Sequence, residues 1–97
     1  MQTYILLLSW TDQGIRAVGD SPKRLDAARA LLAGMGGKLG DFYLTMGVHD
    51  MVGIAEAPDD ATIARFVLTL CRTGSVRCQT LKAFPEAEYR QVIGALG

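Results

Sequence analysis

Phe42-Tyr43-Leu44-Thr45-Met46-Gly47-Val48-His49-Asp50-Met51-Val52 holds two apolar runs broken by a glycine, an imidazole and a carboxylate. Such an interruption is a poor place to bury surface, so it reads as the connection of a β-hairpin. It sets a flexible backbone point, the chain's one histidine and an acid at one end of a sheet. The arm before it, Lys38 to Met46, alternates: Phe42, Leu44 and Met46 face one way, Asp41, Tyr43 and Thr45 the other. The arm after it, Asp50 to Ala57, puts Val52 and Ile54 on one face and Met51, Gly53 and Ala55 opposite.

Outward from the hairpin, a helix flanks each arm. Asp20-Ser21-Pro22 starts the first, with Ser21 as N-cap and Pro22 at the first helical position. Leu25, Ala28, Leu31, Leu32 and Met35 form its apolar stripe, and Gly36-Gly37 ends it. Pro58-Asp59-Asp60 starts the second, its acids at the positive end of the helix dipole. Ile63, Phe66, Val67, Leu70 and Cys71 form its stripe, and Gly74 closes it. The outermost strands are Tyr4 to Trp10, broken by Thr11-Asp12-Gln13-Gly14, and Ser75 to Phe84. Pro85-Glu86 opens a last helix carrying Tyr89, Val92, Ile93 and Leu96.

The order is β-α-β-β-α-β followed by a C-terminal helix. Two such βαβ halves close into one four-stranded antiparallel sheet with both helices on one face, an α+β, ferredoxin-like fold. Both faces of the strands carry Leu, Ile or Met, so the helix-free face is too apolar for water. A second copy packed face to face solves this, which predicts a two-fold homodimer.

The chain has 97 residues, enough for a single domain spanning 1–97. Ten basic and ten acidic side chains cancel, which argues against a nucleic-acid or anionic-membrane footprint. No apolar run is long enough for a membrane span. The N-terminus lacks the features of a signal peptide, so a cytoplasmic protein is expected. Cys71 and Cys78 match no zinc spacing and read as reduced core residues. No phosphate-binding glycine loop, HExxH or Gly-x-Ser-x-Gly turn occurs, and no cofactor is expected.

Several residues carry chemistry worth placing. His49 titrates naturally near neutrality, which suits a general base. Asp50 either holds the turn through backbone N–H groups or receives a ligand's donors. Gly47 supplies a positive φ or a close approach. Trp10 ends a strand, as a cap on the core or as a pocket wall. Arg16, with Gln13, offers donors to a carboxylate. Tyr43 is an interface aromatic or a pocket hydroxyl. Lys23 and Arg24 open the first long helix against its dipole, a misfit that points to an anion site or a partner.

The segments Tyr4 to Trp10, Thr11 to Arg16, Asp20 to Arg24, Gly36-Gly37-Lys38, Gly47-x-x-Asp50, Glu56 to Asp60 and Val76-Arg77 together resemble the GYD-domain family of small bacterial proteins. That family takes its name from Gly-Tyr-Asp, and His49 stands at the tyrosine position. The resemblance implies the ferredoxin-like fold and the dimeric α/β-barrel group; it implies no reaction. Gly47 to Asp50 and the elements after it also look like the effector-binding domain of leucine-responsive regulators, which bind amino acids near the corresponding hairpin. No helix-turn-helix is read ahead of it, so no DNA-binding role is expected.

Three functions follow. The main one is a homodimer that binds a small organic molecule near the hairpin through Trp10, Arg16, Tyr43, Gly47, His49 and Asp50. The second is a cofactor-independent isomerase or monooxygenase with His49 as base. The third is an assembly or interaction module whose sheet face acts alone.

Overall fold

The computed structural model describes residues 1–97. Strand β1 runs Gln2–Trp10, β2 Lys38–Leu44, β3 Met51–Ala57 and β4 Val76–Ala83. They form one four-stranded sheet in the order β2-β3-β1-β4. All three pairings are antiparallel. Helices α1 (Asp12–Arg16), α2 (Ser21–Gly34), α3 (Asp60–Cys71) and α4 (Glu86–Gly94) complete the chain. The arrangement is the ferredoxin-like one expected from the order of elements.

The core lies between the sheet and the two long helices. Tyr4, Leu6 and Leu8 of β1, Met51, Ala55 and Ala57 of β3, and Leu39 of β2 meet Ala28 and Leu32 of α2 and Ile63 and Phe66 of α3. Phe66 and Leu32 are fully buried. Truncating a buried Phe to Ala typically costs about 3–5 kcal/mol, which makes Phe66 a major anchor of α3. Helix α3 starts where its acids predict: the Asp59 side chain accepts from the Thr62 N–H, capping the first turn.

The structure differs locally from the sequence reading. Strand β2 ends at Leu44, two residues early, because Thr45 turns back to bond across the loop: its N–H donates to Asp50 O and its hydroxyl to His49 O. A register irregularity between Leu39 and Phe42 also interrupts its pairing with β3. Ser21 is the first residue of α2 rather than its cap, since a 3-10 turn over Val18–Asp20 runs straight into the helix.

The break after Trp10 is itself a helix. Thr11 caps the five-residue α1 by accepting the Gly14 N–H on its hydroxyl oxygen. The same hydroxyl donates to Gly74 O, and the Thr11 N–H donates to Ser75 O at 3.1 Å. Thr11-x-x-Gly14 is thus a staple from the end of β1 to the turn before β4. Gly14 is required by proximity, because a Cβ there would fall 1.9 Å from Ser75 O.

Candidate interaction surface

Alternation along β1 sends Tyr4, Leu6 and Leu8 into the core and leaves Ile5 and Leu7 on the opposite face. Register then assembles that face. Tyr43, Val52 and Leu7 line up across β2, β3 and β1; Ile54, Ile5 and Leu81 line up across β3, β1 and β4. Two adjacent apolar rows therefore cross the middle of the sheet. Ile5, Leu7, Val52 and Ile54 are half-buried by their neighbours, while Tyr43 and Leu81 are exposed. The long helices pack on the other face, through the core residues already named.

Polar groups ring these rows. Lys38, Glu56 and Thr3 share the next row at one end. At the other end Ser9 pairs with Arg77, and Gln79 lies opposite Leu7. An open depression here is bordered by Leu7, Ser9, Arg77, Gln79 and His49. An apolar centre with a polar rim is the usual anatomy of a protein contact.

The loop from Thr45 to Asp50 stands at the edge. Asp50 Oδ2 accepts the backbone N–H of Trp10 at 3.0 Å, and the Asp50 N–H donates to Leu8 O at 2.9 Å. The carboxylate is therefore engaged in holding the loop against the end of β1. Gly47 sits at φ +149°, a conformation that side-chain-bearing residues rarely adopt. On either side of it, Met46 and Val48 are 101% and 92% exposed. Two apolar side chains on a pinned loop, almost wholly in water, extend the exposed apolar surface beyond the sheet.

The remaining candidate residues are dispersed. Trp10 packs against the core on the helix side, opposite Val76, and its indole Nε1 is buried without a hydrogen-bond partner. Arg16 is exposed at the end of α1. Tyr43 lies on the other side of the sheet from Trp10. An apolar cavity lies between α2, α3 and the sheet, and none of Trp10, Arg16, Tyr43, Gly47, His49 and Asp50 lines it. No three of the His, Cys, Asp and Glu side chains cluster as metal ligands would. No helix is long and apolar enough to cross a membrane. Cys71 and Cys78 are free and half-buried, and burial raises the Cys78 thiol pKa.

Sequence reasoning missed a polar group on the core side. The Tyr4 hydroxyl donates to Asp60, whose Oδ1 also accepts from Lys82 Nζ at 3.1 Å. The ammonium lies 5.1 Å from the centre of the Tyr4 ring. The tyrosine pKa is pushed up to about 12, first by burial and then by the Asp60 carboxylate. The Asp60 pKa is lowered, first by the Tyr4 hydroxyl and then by Lys82. Only the β1–β4 register, which pairs Tyr4 with Lys82, reveals this group.

Fold and surface together define a small ferredoxin-like domain with one helix-covered and one uncovered sheet face. The GYD domain model matches residues 4–93, and the chain belongs to the GYD-domain family. A relative from Thermus thermophilus, named glutamine synthetase and cystathionine beta-lyase binding protein, is 36% identical over 89 residues, covering 91% of this chain and 94% of the relative. The crystal structure of TTHA0845, also from Thermus thermophilus, superimposes with a TM-score of 0.55 at 21% identity, covering 88% of this chain and 95% of that one. At that identity the likeness speaks for the fold.

Proposed function

We propose that this chain is a protein-interaction module. Two copies pair through their open sheet faces, and the pair binds a partner enzyme of the kind recorded in the Thermus relative's name. The observation that carries this reading is the double apolar row Tyr43-Val52-Leu7 and Ile54-Ile5-Leu81, which no helix of the same chain covers. The relative's name supports the partner half of it.

Area favours pairing of two copies with help from outside the sheet. Four strands spaced ~4.8 Å apart and seven residues long at ~3.3 Å each present roughly 440 Å² of plane per copy. The pair would bury roughly 900 Å² by this count, somewhat below the roughly 1,200 Å² at which stable interfaces begin. Side-chain relief narrows the gap. The apolar face of α4, exposed at Tyr89, Val92 and Ile93, supplies more. Met46 and Val48 on the loop, with His49, Arg77 and Gln79 at the rim, remain for the partner.

The test is sedimentation velocity of the chain alone and mixed with glutamine synthetase or cystathionine beta-lyase from its own organism. A dimer alone, and a faster co-sedimenting species with at least one enzyme, is expected. A lone chain at tens of micromolar that leaves both enzymes' boundaries unchanged overturns the reading.

A further inference from the structure

The cavity between α2, α3 and the sheet takes no part in that interaction surface. Its volume is about 300 Å³, and its walls include Leu6, Leu25, Leu31, Phe66 and Leu70. Drug-sized ligands occupy roughly 300–1,000 Å³, so this cavity suits a short acyl chain or a small ring system rather than a nucleotide.

The polar residues of the lining identify the kind of ligand. Arg24 and Ser21, at the start of α2, line the cavity together with Ser75. Arg24 and Ser75 lie at the same end: Arg24 Nη2 donates to Gly14 O, and Gly14 packs directly on Ser75 O. A second bond from Nη2 to Ala17 O at 3.0 Å fixes the guanidinium in place. Nε and Nη1 make no hydrogen bond, and no carboxylate lies within 4.0 Å of the group.

A half-buried cation without an acidic partner attracts negative charge. Arg24 stands at one end of an apolar chamber. Its misfit against the helix dipole has a physical reason if an anion completes the site.

We propose that the α2–α3 cavity binds an apolar carboxylate, its chain or ring among Leu25, Leu31 and Leu70 and its carboxylate on Arg24. The site is independent of the open sheet face, so it stands or falls separately from the interaction reading.

The probes are octanoate and its neutral counterpart 1-octanol, titrated into the full chain by calorimetry with methyl NMR. Saturable octanoate binding is expected, with shifts at the Leu25, Leu31 and Leu70 methyls. Octanol binds more weakly, by about tenfold, the worth of one charge-assisted contact. Arg24→Gln lowers octanoate affinity by a similar factor and leaves octanol unchanged, while Arg24→Lys keeps most of the difference. Absence of saturable binding overturns the proposal. So do shifts confined to the open-face residues Ile5, Leu7, Val52 and Ile54, or equal binding of acid and alcohol by the wild-type chain. The last two readouts need no variant, so they decide the matter even if Arg24→Gln does not fold.

Discussion

The Asp50 carboxylate accepts the backbone N–H of Trp10 at 3.0 Å, tying the 45–50 loop to the last residue of β1. The Asp50 N–H returns the bond to Leu8 O, and Asp50 O accepts the Thr45 N–H at 2.8 Å. One residue thereby satisfies three backbone groups at a point where the β1–β3 ladder has just ended at the Leu8–Met51 pair. A buried donor left without its acceptor costs about 1–3 kcal/mol. Asp50→Ala is therefore expected to lower unfolding stability by about that amount, read as a fall in the urea midpoint at unchanged slope. A change inside experimental error means that water replaces the carboxylate at no cost.

Gly14 supports a sharper expectation. Its Cβ position falls 1.9 Å from Ser75 O, a backbone atom also held by the Thr11 N–H. Neither side can move without opening the joint between α1 and the start of β4. Overpacking at such a site costs about 1–3 kcal/mol or more. Gly14→Ala should unfold well before the wild type on heating. Gly19→Ala, where no atom lies within 4 Å of the added Cβ, is the control and should melt near the wild-type temperature.

Tyr4 links stability to alkaline pH. Its hydroxyl is neutral in the fold, and burial and Asp60 raise its pKa from 10.0 to about 12. A raised pKa means that the folded chain holds the proton more tightly than the unfolded chain. The stabilisation is complete below pH 10 and is lost as pH rises towards 12. The phenolate absorbance of the wild type minus that of Tyr4→Phe should show one titration near 12. The stability of Tyr4→Phe should fall less steeply than that of the wild type across this range. A difference spectrum centred at 10 would place Tyr4 in water. At acid pH the linkage reverses in sense: Asp60 has a lowered pKa, so its contribution is present above 3.8 and fades as pH falls.

How far the sequence is legible depends on whether neighbours in space are neighbours in the chain. The stripes of α2 and α3 are local periodicities, and they place Leu32 and Phe66 in the core as read; alternation in β3 separated Val52 and Ile54 from Met51 and Ala55, and the structure shows which of the two faces is buried. The turn-holding role of Asp50 was one of its two readings, because an acid beside a loop glycine commonly serves the backbone. The Thr11–Gly14 staple and the Tyr4–Asp60–Lys82 group were not legible. Each joins positions more than fifty residues apart, as Tyr4 and Asp60 or Thr11 and Gly74 show. A pocket between sheet and helices follows from the fold itself, but its lining was not legible: empty space between two helices has no residue of its own, and Arg24 was the one polar side chain of the lining that stood out. The open sheet face was legible because alternation exposes Ile5, Leu7, Val52 and Ile54 together once the strand order is known.

That face yields a direct expectation for assembly. Leu7 sits at the centre of the double row, beside Val52 and opposite Gln79. Central hot-spot side chains are worth about 2 kcal/mol or more, roughly a thirtyfold change in dissociation constant. Leu7→Asp should shift the chain from dimer to monomer in sedimentation at the same concentration, with the far-ultraviolet circular dichroism spectrum kept. A wild-type-like dimer would remove the sheet face from the contact.

Helix α4 separates an assembly role from a folding role most cleanly. None of its residues is buried, and the molecule reaches 52 Å along its longest axis. Tyr89, Val92 and Ile93, with Leu96 just beyond the helix end, follow the i, i+3, i+4, i+7 spacing of one apolar face. An isolated helix of nine residues is marginal in water. The Arg90–Glu86 ion pair, at 2.8 Å but exposed on both sides, contributes at most a few tenths of a kcal/mol. The apolar face therefore needs something to pack on, and the sheet-to-sheet area falls short without it. Ile93→Asp should leave monomer unfolding stability nearly unchanged, because Ile93 is half-exposed and does not pack against the core. It should weaken the dimer by about tenfold, a typical effect for an apolar residue outside the interface centre. Urea titration and sedimentation equilibrium read the two quantities separately. A variant that loses stability but keeps its dimer would mean that α4 folds back on its own body, leaving the sheet faces to pair alone.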